Sequence, residues 1–303
     1  MLTVLWISAT VAASAFQVAR NAVQRGLMTT SGPWAATLVR FMFGLPFSYA
    51  FAVLAAGFTQ GAKAHLSHAF WLYAMTGAVA QVLATACLLV AMRRAGFAVG
   101  TAMQQSSLPL AAVVGLVVFG DRLSAAAWAG VAVTTAGLLI LSWPVRGAAS
   151  PLTKQNPRWV SGGVFGVLAG LMFGYSLNAY RHAALGLDPA HPLFSAVSTV
   201  AITQTAQTLA ISLLLIIWDR QALRSVFAAW RASLSAGLFG SLASCAWLLA
   251  LTLAPAAQVR ALGVVEAPMA AFAGRRLFLE RLGLRQAAGG AATLAGVLMT
   301  ALG

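Results

Sequence analysis

Residues 109–123 read PLAAVVGLVVFGDRL, and residues 268–282 read PMAAFAGRRLFLERL. At an offset of 159, Pro109 falls on Pro268, and Ala111, Ala112, Gly115 and Phe119 fall on Ala270, Ala271, Gly274 and Phe278. Asp121-Arg122-Leu123 then meets Glu280-Arg281-Leu282. The match extends outward in both directions. Gly130 and Gly137 fall on Gly289 and Gly296, Leu83-Ala84-Thr85 on Leu242-Ala243-Ser244, and Pro33 on Pro192. Small and apolar residues coincide readily in such a chain. Aligned prolines, an acidic-Arg-Leu triplet and paired glycines do not, so the chain reads as an internal duplication. Between the copies stands PVRGAASPLTKQNP, residues 144–157, whose three prolines and small polar residues suit a linker. The expected organisation is therefore 1–143 as a first repeat, 144–157 as linker and 158–303 as a second repeat.

The solvent for these repeats follows from composition. Of 303 residues, 60% are hydrophobic and 8% charged, with a mean hydropathy of +0.85. A soluble domain carries about 25% charged residues. A bilayer span needs about 20 mostly apolar residues. Ten stretches qualify, near 2–23, 33–57, 69–92, 96–119, 124–143, 159–181, 190–218, 227–251, 255–275 and 284–302. Charged or turn-forming pairs such as Arg25-Gly26, Arg93-Arg94, Asp121-Arg122 and Asp219-Arg220 separate them. The first stretch has no basic n-region and reads as a span, not a signal peptide. Five spans per copy is an odd number, so the second copy enters the membrane from the opposite side. The expected fold is an all-α membrane protein of ten transmembrane helices, arranged as two inverted five-helix repeats.

The net charge of +14 does not point to nucleic acid. Its Lys and Arg come one to three at a time between apolar runs, as topology-setting charges do, and form no basic face. Fourteen of them border the loops after the odd-numbered spans, against Lys63, Arg122 and Arg181 on the other side. That bias places both termini outside. The two cysteines, Cys87 and Cys245, sit singly in apolar runs and read as packing residues. His65, His68, His182 and His191 fall in loops or at span ends with no cysteine or carboxylate to complete a metal site. No nucleophile elbow, phosphate loop or zinc-protease motif is present, so neither catalysis nor a cofactor is expected.

Ionisable and polar groups inside spans carry the functional reading, since each charge costs about 2.5–3.5 kcal/mol to insert at the helix centre. Glu266 is the one acidic residue in mid-span. It could bind a substrate amine or exchange a proton for substrate; the structural alternative is a neutral group that positions the Pro268 kink. Arg260, six residues earlier, could bind a substrate carboxylate or snorkel. That spacing sets it on another face of the helix, which argues against direct pairing with Glu266. Arg40 reads as a contact to another helix more than to substrate. In the fourth span, Thr101, Gln104, Gln105, Ser106 and Ser107 precede Pro109, which frees the Gln105 carbonyl. Gln104 and Gln105 are expected to line a cavity, with Pro109 and Pro268 as helix bends. Gln17 with Arg20, and Tyr175 with Asn178 and Arg181, form polar stripes on the corresponding first and sixth spans. Gln81 and Trp247 are further candidates.

The Pro-x11-acidic-Arg-Leu signature followed by Gly-x6-Gly, together with Arg40-Phe41 and Glu266-x-Pro268, makes the chain resemble the EamA-type members of the drug/metabolite transporter superfamily. The resemblance covers essentially the whole chain in two copies. Asp121 departs from the more usual Glu, and Arg275-Arg276 stands where apolar residues are usual. The resemblance implies a ten-helix carrier of the bacterial inner membrane, commonly an exporter of amino acids or other metabolites. A secondary transporter working by alternating access is the function expected here. Its partners would be a small-molecule substrate, a coupled proton and the lipid bilayer, in a monomer or homodimer. The alternatives are a membrane-embedded enzyme, which would need paired acid and base groups, or a non-transporting scaffold.

Overall fold

The structure, a computed structural model, describes residues 2–97, 100, 104, 106–121, 123–142, 157–266, 269–270, 272–273 and 284–302. Gln105, Pro268, Arg122, Glu280, Arg281, Arg275, Arg276 and nearly all of the 144–157 linker lie outside the described residues. Among the described residues the chain is helical, with no strand. The helices are α1 (Leu2–Met42), α2 (Leu45–Phe58), α3 (His68–Ala95), α4 (Ser107–Phe119), α5 (Ala125–Ser142) and α6 (Pro157–Leu187). They continue as α7 (Pro192–Trp218), α8 (Arg220–Ala228), α9 (Trp230–Leu253), α10 (Ala256–Leu262) and α11 (Leu284–Leu302).

Among the described residues, five helical stretches are long and apolar enough to cross a membrane: Gly32–Phe58, His68–Ala95, Ser161–Leu187, Pro192–Trp218 and Trp230–Leu253. Shorter apolar helices occupy Ser107–Phe119, Ala125–Gly137 and Ala256–Val265. This is compatible with a multi-pass membrane protein. The distribution of side chains agrees. On α7, Thr199, Thr203, Gln204 and Gln207 are buried, whereas Leu209, Leu213, Ile216 and Ile217 are exposed. A helix in water would turn these faces the other way. It is the arrangement of a helix suited to a hydrocarbon solvent, with its polar groups finding partners inward.

Local signals explain the helix ends. The sequence suggests a first turn at Arg25-Gly26, yet the chain stays helical through both. It turns at Gly32, whose φ of 75° suits a residue without a Cβ, and Pro33 then opens the next helical run. Asp219 ends α7 and caps α8, accepting the Ala222 amide at 2.9 Å. α4 starts at Ser107, which puts Pro109 in its first turn, where the missing N–H costs least.

The chain divides into two compact units, each drawing on both sequence copies. One comprises Met1–Val82 and Ser176–Pro255, the other Leu83–Tyr175 and Ala256–Gly303. In the first, α9 packs along α1, with Phe16 and Phe239 stacked at 6.4 Å, and Phe70, Ala74, Ala183 and Leu187 form an apolar core. In the second, Leu108, Ala112, Val131, Ala257, Ala261 and Val264 form the core, and α5 packs closely on α11. At that crossing a Cβ on Gly137 would collide with the Thr293 amide and stand 2.9 Å from the Gly289 carbonyl. A Cβ on Gly296 would collide with the Thr134 amide and stand 2.8 Å from the Gly130 carbonyl. Adding 159 to Gly137, Thr134 and Gly130 gives Gly296, Thr293 and Gly289, so each contact has its reciprocal. Reciprocal contacts of this kind are those of an isologous interface.

Candidate functional site

In the second unit, α10 gives way to a 3-10 turn over Gly263–Val265, and Glu266 follows it. An α-helix turns about 100° per residue and a 3-10 helix about 120°. Three steps of the tighter turn therefore advance the chain by about 60° more than α-helix would. That rotation brings Glu266 back toward the face of Arg260. Arg260 Nη1 stands 3.8 Å from Glu266 Oε2, with both side chains buried. This corrects the expectation from spacing alone that the two would not meet; the helix type between them changes the register. Arg260 Nε also donates to Ser107 Oγ at 2.7 Å, joining α10 to the start of α4. Gln104, three residues before Ser107, is 1% exposed, and its Oε1 has no partner among the described residues. Burial of a guanidinium and a carboxylate away from water is costly unless each retains charge-assisted bonds. Arg260 keeps a charge-assisted bond to the Ser107 hydroxyl, and the Glu266 carboxylate stands within ion-pair distance of the same guanidinium. A polar ligand could exchange with either contact.

Three close approaches place α4 against α6 in this unit. A Cβ on Gly174 would stand 2.9 Å from the Ala111 amide. A Cβ on Gly170 would stand 2.9 Å from the Ser107 amide and collide with the Ser106 hydroxyl. Tyr175, on the next residue of α6, sets its ring 5.9 Å from that of Phe119. Tyr175 thus packs on an aromatic ring at the far end of α4, well along the helix from Ser107.

The first unit holds a separate set of the residues expected from sequence. Gln17 Oε1 accepts the Trp247 indole N–H at 3.0 Å. Gln81 Oε1 accepts from the Tyr180 hydroxyl at 3.2 Å and from Gln207 Nε2 at 3.0 Å. Gln207 Nε2 also reaches the Ala78 carbonyl and the Tyr180 hydroxyl, both at 3.0 Å. Asn178 is buried, and its backbone carbonyl lies 2.9 Å from His182 Nδ1. A neighbouring knot joins Ser48, Gln204 and Ser241 around the Gly44 carbonyl, which Ser241 Oγ meets at 2.8 Å. Sequence reading missed Gln204 and Gln207. The signal was present: Thr199, Thr203 and Gln207 recur every four residues, a polar stripe of the kind recognised on the first and sixth spans.

Among the described residues no group of three or more His, Cys, Asp or Glu side chains could hold a metal. No family model and no curated protein matches the chain. Solved structures do match it. One, described as "Crystal structure of protein", aligns over 99% of this chain and 98% of its own, with a TM-score of 0.67 at 18% identity. At that identity the likeness extends to the fold alone.

Proposed function

We propose that the chain is an EamA-like secondary transporter of the drug/metabolite type, with ten spans in two inverted repeats, which exports a small metabolite across a bacterial-type inner membrane. The observation that carries this reading is the buried Arg260–Glu266 pair beside a helix break, in a chain whose long helices are apolar outside and polar inside. Charges inside a bilayer usually mark a substrate or ion pathway. Broken helices supply backbone and side-chain groups suited to polar cargo. The reciprocal Gly137–Thr293 and Gly296–Thr134 contacts support the inverted duplication. The charge bias across the loops supports termini on the outer side.

In this mechanism Glu266 releases Arg260 when the amine of an incoming substrate, or a proton, takes the carboxylate. Arg260 keeps its bond to Ser107 in the meantime. The cost of opening the pair is then offset only when cargo or proton is present, which couples occupancy to the conformational switch of alternating access. Counterflow into proteoliposomes, measured across a panel of amino acids and amphipathic amines, tests the proposal. Uptake of at least one radiolabelled compound, reduced in Glu266→Gln, is expected. Absence of counterflow for the entire panel with correctly folded protein would overturn it.

A further inference from the structure

Within the first unit the short helix α8 (Arg220–Ala228) stands between two long apolar ones, α7, which ends at Trp218, and α9, which begins at Trp230. At about 3.6 residues per turn, Arg220, Gln221, Arg224 and Ala228 fall on one side of α8, and Ala222 and Val226 on the other. Burial follows that pattern. Val226 is buried, whereas Arg220, Gln221, Arg224 and Ala228 are exposed. The inner side is fastened at several points. α8 packs on α1 and α7, the Phe227 ring lies 5.9 Å from that of Phe43, and Ser233 Oγ of α9 donates to the Val226 carbonyl at 2.9 Å. One face of α8 is thus held on its own unit, and the other is turned outward.

The outward surface combines cations with aromatic rings. Trp218 is 77% exposed, Phe227 54% and Trp230 53%. Arg220 Nε donates to the Ile216 carbonyl at 2.9 Å, and the Arg231 guanidinium lies 5.4 Å from the Trp230 ring centroid, so two of the cations are held beside the tryptophans. Arg224 follows Arg220 one turn on along the same exposed face. Residues 218–231 hold three arginines and one carboxylate, Asp219, which caps α8 through the Ala222 amide. The surface therefore carries excess positive charge. What covers it follows from its continuity with α7. Trp218 extends the exposed apolar face of Leu213, Ile216 and Ile217, so the solvent of that face reaches Trp218 as well. Tryptophan rings belong at the headgroup level of a bilayer, and a short basic helix with aromatic neighbours lies along that level. Arginine side chains are long enough to lay their stems on apolar surface and carry the charge to the phosphates.

We infer that α8, with Trp218, Trp230 and Arg231, is a docking surface for anionic phospholipid: Arg220, Arg224 and Arg231 bind the headgroup phosphates while the flanking rings lie against the upper acyl chains. The inference rests on the membrane part of the proposed function and on nothing about transport. A zwitterionic lipid offers the same phosphate but cancels its charge within the headgroup, so the surface prefers lipids with a net negative charge.

Tryptophan quenching by brominated lipids tests the surface. The full-length protein is placed in nanodiscs of phosphatidylcholine and phosphatidylglycerol, with bromine on the tails of the one lipid or of an equal amount of the other. The share of Trp218 and Trp230 is the difference between the wild type and the Trp218→Phe, Trp230→Phe variant. Brominated phosphatidylglycerol is expected to quench that share more than brominated phosphatidylcholine at low salt, and the preference should vanish at high salt. Each arginine replaced among Arg220→Gln, Arg224→Gln and Arg231→Gln should cut the preference about fivefold, the weight of one cation near an anionic surface. Lysine in the same three positions should keep most of it, since charge more than the fork is being read. If the Gln variants do not incorporate, the salt series on the wild type carries the test. Equal quenching by the two lipids overturns the inference, as does a preference that survives all three Gln substitutions. Quenching of the protein's other tryptophans but not of this pair would leave α8 in water, open to a soluble partner, and overturns it while the membrane reading stands. Quenching of no tryptophan by either lipid would remove the membrane reading itself.

Discussion

Gly137 of α5 and Thr293 of α11 pack backbone to backbone, with no room for a single methyl group on Gly137. Close helix approach of this kind suits a membrane, where lipid tails are as apolar as leucine and association relies on contact packing. Because Gly296 stands in the same relation to Thr134, the crossing is stabilised twice by the same device.

Gly137→Ala and Gly296→Ala should therefore destabilise the protein by similar amounts, about 1–3 kcal/mol each, the usual cost of overpacking. The obstruction is main chain, which cannot swing aside as a side chain could. In the double variant the helices have already moved apart, so its loss should fall short of the sum. Unfolding of all three variants in detergent checks this; a tolerated Gly137→Ala beside a damaging Gly296→Ala would refute the equivalence.

Arg260 and Glu266 should show a strong interaction energy. Arg260→Met leaves a buried carboxylate without its guanidinium, and loss of one partner of a buried ion pair costs about 3–5 kcal/mol. Arg260→Met combined with Glu266→Gln removes both charges and should recover much of that loss. A double-mutant cycle by chemical denaturation measures the interaction, and purely additive losses would show that the pair does not act as a unit.

Gln207 reaches three acceptors from one nitrogen that carries two protons. At about 0.6 kcal/mol per interhelical hydrogen bond in a membrane protein, Gln207→Leu should cost about 1 kcal/mol. The same substitution should leave Ser48, Ser241 and Gln204 undisturbed, since those three share other bonds. Thermal stability together with side-chain amide spectra of Gln204 would separate the two networks.

Asp188 supplies a pH-dependent tie outside the spans. The Lys63 amide, at 2.9 Å, is the first cause holding its carboxyl below the usual aspartate range, and the bonds to His191 and the Ala190 amide add to it. A depressed folded pKa means the ionised form is favoured in the folded state. The stabilisation is complete above the ordinary aspartate value of about 3.9 and is lost as pH falls through the lower folded value. The amide of His65, bonded to the Leu187 carbonyl at 2.9 Å, should report it. Its hydrogen-exchange protection, corrected for intrinsic rate, should stay level from about pH 7 to 5 and fall below about pH 4. Asp188→Asn should show weaker protection at neutral pH and no such fall.

Helices long and apolar enough to cross a membrane were legible from hydropathy and the sparse charges, because a span must be apolar whatever it packs against. The offset of 159 matches Gly137 to Gly296 in identity, and at the crossing of α5 and α11 these two glycines make reciprocal contacts. Glu266 stood out for its cost in mid-span. The rotational facing of each helix was decided by the tertiary structure. Spacing put Arg260 and Glu266 on different faces, because it assumes a uniform α-helix. One 3-10 turn, held between α10 and Glu266, changes the register enough to join them. Arg20 and Arg40 are twenty residues apart along the chain, and only the turn at Gly32 and the close approach of Gly240 bring both beside one glycine. Composition sets the solvent in which a chain can fold; which buried charges face one another is settled by helix rotation, a small angle to which a one-dimensional pattern is blind.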